Sequence, residues 1–157
     1  MATKHEDMQK FIRYYRQTNK VAACDMHDVA KLADKMGWKL PKPISPLDML
    51  AKEFSKAARE ETRVDSKTGR PYRVNHAFVD DKQLTLWVDI DEAPRKFMVK
   101  SAVMRREQVV GDLVQLTFDL DHWNRVNPSE EPIEMPLDFN DDVEWRKNGG
   151  DAQGEAA

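Results

Sequence analysis

Cysteine is nearly absent: Cys24 is the only one in 157 residues. No intrachain disulfide can form, so the fold must hold without covalent staples, and a reducing compartment, the cytoplasm, is the expected location. Long apolar runs are missing too. Nothing approaches the roughly 20 consecutive residues that a membrane-spanning helix needs, so no membrane is expected among the partners. No hydrophobic stretch follows Met1–Asp7, and a secretory leader is not expected. Apolar residues make up 40% and charged residues 34%, a balance that suits long solvated helices and argues against a large all-β core. The length is that of one domain, with room for one appendage.

Catalytic motifs are also lacking. There is no G-x-S-x-G elbow and no glycine loop to cradle phosphates, and Cys24 has no glycine-rich oxyanion loop beside it. The chain is therefore read as non-enzymatic, with no cofactor. Cys24 and His27 form a C-x-x-H half-site, and Asp119, Asp121 and His122 another group of potential ligands. Only His5 and His76 remain as histidines. Zinc needs about four ligands of matched geometry, so no metal is expected. Asp89-x-Asp91 would set two carboxylates on one face of a strand, where a divalent cation could sit. The plainer reading has Asp91 and Glu92 opening a helix. His76, alternating with apolar residues, reads as a hydrogen-bonded core histidine.

What is present is charge, unevenly spread. The net charge is −3. Residues 1–24 hold five basic and two acidic side chains, residues 63–79 four and one, and residues 127–157 two and nine. A modest total thus conceals a basic N-terminal half, and binding depends on the local field.

Periodicity divides the chain. Met8, Phe11, Ile12 and Tyr15 predict a helix from about Glu6 to Gln17, followed by a short extended piece, Lys20–Cys24. Asp25 predicts an N-cap, with Val29, Leu32, Ala33 and Met36 as an apolar stripe and Gly37 at the left-handed position that ends the helix. Two prolines keep Trp38–Ile44 out of any helix. Ser45, Pro46 and Asp48 predict a third helix start. Its expected buried face is Leu47, Leu50, Ala51, Phe54 and Ala58, with Lys52, Lys56 and Arg59 as a basic line on another side. The period then drops to two. Arg63–Asp65, a polar turn over Ser66–Gly69, alternating Tyr72, Val74, His76 and Phe78, a turn at Asp80–Lys82, and alternating Leu84–Ile90 predict a three-stranded antiparallel meander. From Ala93 to about Asn124 a 3-4 spacing predicts one long helix, with strand at Leu113–Phe118 as the rival reading because of Gly111. After Pro128 the chain is acidic and proline-punctuated, and Gly149–Ala157 should be disordered.

The order helix, short strand, helix, helix, strand, basic turn, strand over residues 6–79 resembles a winged helix-turn-helix domain in organisation, not in any signature motif. The resemblance implies a groove-facing helix carrying Lys52, Lys56 and Arg59 and a wing carrying Lys67, Thr68, Arg70 and Arg73, with DNA as partner. The segment Trp38–Ile44 is longer than that family's turn, and Glu53, Glu60 and Glu61 are interspersed on the helix. The segments Trp87–Asp91 and Arg105–Asp112 are also similar to a strand-then-long-helix stretch of bacterial proteins without assigned function, which implies no activity.

In the long helix, Val99, Val109, Leu113, Leu116 and Leu120 form a seam suited to a second helix, a homodimer mate or the protein's own core. The acidic tail, with Phe139 and Trp145, suits partial docking or a protein partner. The expected fold is α+β: a winged-helix-like region with a small meander (1–92), a long amphipathic helix (93–127) and an acidic tail (128–157). The expected function is DNA binding by a regulatory or accessory factor; the alternative is a non-catalytic scaffold acting through helix and tail.

Overall fold

The first three helices start where a side chain satisfies a free backbone N–H, at Thr3, Asp25 and Ser45. The computed structural model describes residues 1–149; the tail beyond, expected to be disordered, lies outside the described residues. Nine elements follow in order: α1 (Lys4–Asn19), α2 (Met26–Lys35), α3 (Pro46–Glu60), β1 (Thr62–Val64), β2 (Pro71–Arg73), β3 (Asn75–Val79), β4 (Thr85–Asp89), α4 (Arg95–Val126) and α5 (Asn140–Lys147). The class is α+β. The chain forms two compact units that divide within α3, one over Met1–Lys52 and one from Glu53 onward.

In the first unit α1 begins two residues earlier than its apolar spacing suggests. The Thr3 hydroxyl accepts from the Glu6 N–H at 3.2 Å and the Glu6 carboxylate accepts from the Thr3 N–H, a reciprocal capping box. The extended piece expected at Lys20–Cys24 does not form. Lys20 turns left-handed at φ 54° and closes α1 by donating to Arg16, because a lone strand here would leave its backbone without a ladder. Asp25 caps α2, accepting from His27 N–H at 2.7 Å. Gly37, at φ +88°, ends it in a Schellman turn. Gly37 donates to Asp34 and Trp38 to Ala33, each at 3.0 Å. That turn brings the Trp38 ring to 5.1 Å from Phe11. Phe11 and Val29 are buried here.

Ser45 caps α3 through the Asp48 N–H, as expected. The buried face assigned to this helix is a correction. Leu47 and Phe54 are 79% and 68% exposed, Leu50 is exposed, and no residue of α3 is buried. Amphipathic spacing states that a face favours cover; it does not supply the covering element.

In the second unit the expected middle strand divides at Val74. Antiparallel β1 and β2 pair Thr62 with Arg73 and Val64 with Pro71, while β3 and β4 pair Asn75 with Asp89 and Val79 with Thr85. Val74, fully buried, donates to Glu61 at 3.1 Å and accepts from Ile90 at 2.8 Å. One residue thus belongs to both ladders, and the meander becomes two staggered hairpins. Val74, His76 and Phe78 are the buried side chains of this run, as their alternation predicts. The first turn closes on Asp65, whose carboxylate accepts from the N–H groups of Thr68 and Lys67 and is held below the usual carboxylate range by them. Gly69, at φ +68°, completes it.

The long helix α4 has 32 residues, about 48 Å at the usual rise. It runs unbroken through Leu113–Phe118, so the rival strand reading falls. Its start is also corrected: Pro94, not Asp91 or Glu92, occupies the N-cap position. The first turns pack on β3, where Phe97 stacks on Phe78 with centroids 4.3 Å apart. Further along, Asn124 holds the tail by a reciprocal pair of bonds to the Ile133 backbone, 2.9 and 3.0 Å. The tail then forms α5. Phe139 and Trp145 do not dock as expected: both are exposed.

Candidate functional site

Four segments of the second unit surround a cavity of about 410 Å³, within the size range of small-ligand pockets. Arg59, in the last turn of α3, lies with its guanidinium 5.4 Å from the centre of the Trp87 ring. Trp87 stands opposite Ala77 in the β3–β4 register. Asn75 ties α3 to the sheet: its amide donates to the Ala58 carbonyl and to the Glu61 carboxylate, both at 3.1 Å. Arg73, at the end of β2, supplies a second guanidinium. From α4 come Ser101, Met104, Arg105 and Gln108, the i, i+3, i+4, i+7 set that shares one helix face.

Three guanidinium groups therefore line one pocket, and no carboxylate lines it. None of the three takes part in an ion pair among the described residues. Glu61, close by, is engaged by Asn75. Two buried polar groups complete the lining. His76 has its Nε2 2.8 Å from the Arg73 carbonyl, which can only accept, so Nε2 carries a proton and donates it there. Ser101 is 1% exposed and its Oγ has no hydrogen-bond partner among the described residues. A buried hydroxyl without a partner costs roughly 1–3 kcal/mol.

Of the seven residues singled out from sequence, Arg59 and Arg73 meet here. Lys52 and Lys56 lie on exposed turns of α3, and Lys67, Thr68 and Arg70 on the exposed β1–β2 turn; none of these five lines the cavity. They form no ion pairs among the described residues either. Sequence reasoning missed Arg105, Ser101, Asn75 and Trp87. A readable signal existed: Ser101, Arg105 and Gln108 interrupt the apolar spacing of α4 on a single face.

The Asp89-x-Asp91 pair holds a guanidinium, not an open cation site. Arg63 donates to both oxygens of Asp89, at 2.9 and 3.1 Å, and to Asp91, which also accepts from the Tyr72 hydroxyl at 2.9 Å. Arg63 pushes the Asp89 carboxyl below its ordinary range, helped by the Asp91 N–H. The bond to Asp91 raises the Tyr72 phenol. Among the described residues no three His, Cys, Asp or Glu side chains gather to hold a metal.

A second surface lies on α4. Val99, Val109 and Leu116 of the expected seam are exposed, Leu113 and Leu120 half-buried. No described helix is long and apolar enough to cross a membrane. No known protein family, curated protein or solved structure matches this chain.

Proposed function

We propose that this protein binds nucleic acid as a non-catalytic accessory or regulatory factor, and that its contact is the arginine-lined cavity of the second unit, taking a single strand. The supporting observation is that Arg59, Arg73 and Arg105 line one cavity with Trp87, over which Arg59 lies, and with no acid in the lining. Guanidinium groups meet phosphates in fork geometry and release condensed counterions. A concave pocket beside an aromatic ring suits a splayed nucleotide, whose base can stack on a ring or on an arginine plane. The exposed Lys67 and Arg70 of the hairpin add basic charge to the same unit. A duplex groove would favour instead a convex helix, the role the winged-helix resemblance gives to Lys52, Lys56 and Arg59.

Fluorescence anisotropy with a thymidine oligonucleotide of about 15 nucleotides, run from 50 to 300 mM salt, tests this. Three phosphate contacts on a single strand give a log–log salt slope of about −2, at roughly −0.7 for each contact. A flat salt response, or no binding at 50 mM, would remove the proposal.

A second reading, a scaffold that pairs α4 with a second copy of itself, is favoured by the exposed stripe. Val99, Arg106, Leu113 and Leu120 recur at sevens, as do Ala102, Val109, Leu116 and Trp123. Four such repeats reach the length at which helices pair along a seam. Sedimentation velocity is expected to find a dimer, and Val109→Glu with Leu116→Glu a monomer; a monomeric parent protein sinks this reading.

A further inference from the structure

We infer that the cavity seats the phosphate monoester at the end of a strand, not a diester within it. The inference rests on the nucleic-acid reading above and deepens it. Three observations point the same way. First, Arg59, Arg73 and Arg105 bring three positive charges with no carboxylate beside them in the lining. A diester carries one negative charge, whereas a terminal monoester carries about −1.5 to −2 at neutral pH, with three free oxygens.

Second, Ser101 is the most deeply buried residue of the lining, and its hydroxyl lacks a partner. An O–H can donate to a phosphate oxygen, and a third terminal oxygen is what a monoester has and a diester lacks. Third, the inner lining, at Ser101 and at His76, is buried. A diester must let the chain both enter and leave, while a strand end needs only one opening. A terminal phosphate oxygen seated at the base of the lining would give this hydroxyl the acceptor it lacks.

Three versions of one thymidine decamer test the assignment: hydroxyl at both ends, 5′-phosphate, and 3′-phosphate, each carrying an internal fluorophore so that both ends stay free. The full chain is titrated at pH 7.5 and at pH 5.5. At pH 7.5 one phosphorylated end is expected to bind about tenfold more tightly than the hydroxyl form, as for a charged hydrogen bond. The increment shrinks at pH 5.5, where the monoester takes up its second proton near pH 6. Ser101→Ala is expected to erase the increment while hydroxyl-ended binding persists. Arg105→Gln, separately, is expected to erase the increment and to weaken the hydroxyl form as well, because Arg105 belongs to the proposed contact. Arg105 is exposed, so its variant leaves the buried core untouched.

Equal affinity for all three decamers overturns the inference and leaves the broader proposal standing. No binding of any decamer overturns both. A phosphate increment that survives Ser101→Ala and Arg105→Gln also overturns the inference, because the end would then be read elsewhere.

Discussion

Reversing Arg73 and Arg105 together to glutamate is expected to weaken single-strand binding at least about 100-fold at 0.1 M salt. Under the proposed function each reversal would remove a phosphate contact and put a repelling carboxylate in its place, in a lining that now holds none. Both side chains are exposed and neither has an ion-pair partner among the described residues, so neither change strands a buried charge. The matched control reverses Lys67 and Arg70. These carry the same charge in the same unit but do not line the cavity. A loss of less than about threefold is expected there, from the long-range field alone. Equal losses from the two pairs would mean that general charge, not the pocket, governs binding. Anisotropy titrations of the two double variants, each with its far-ultraviolet circular dichroism checked against the parent, decide between these outcomes.

Phe78→Ala is expected to have the largest effect on stability, about 3–5 kcal/mol. In the second unit Val74 and Phe78 are the buried apolar side chains among the described residues, and the Phe78 ring is what Phe97 of α4 stacks upon. Truncation removes the ring's own burial and also the platform that fixes α4 to β3. Domains are stable by only about 5–15 kcal/mol, so a loss of that size takes up much of the margin. Urea denaturation followed by circular dichroism should show a markedly lower midpoint. Phe54→Ala, at a site 68% exposed, should stay within about 0.5 kcal/mol of the parent. A Phe78 variant as stable as the parent would mean that the sheet–helix contact contributes little.

The contrast between these two phenylalanines shows how far the sequence could be read. Both sit in clear apolar patterns, Phe54 at helical spacing and Phe78 in alternation. Only Phe78 is buried. Features carried by neighbouring residues were legible: the Asp25 cap, Ser45-Pro46, Gly37 and the Ser66–Gly69 turn. Each rests on backbone groups satisfied within a few positions. Features that depend on distant partners were not. Arg63 was read as the edge of a strand, although it neutralises the two aspartates that looked open to a cation. Arg59 and Arg73 were both singled out, on a helix and a wing of a convex surface, and they meet as walls of a cavity. Arg105 escaped because α4 was read for its apolar seam. The capping box at Thr3 and Glu6 was legible and overlooked.

Val74 gives one more consequence. Because its N–H serves one ladder and its carbonyl the other, neither hairpin can unzip past this residue without loosening its neighbour. The flanking positions, Arg73 and Asn75, both face the cavity. A strand bound as proposed would clasp a shared seam, and occupancy would then stiffen the two hairpins as a single unit.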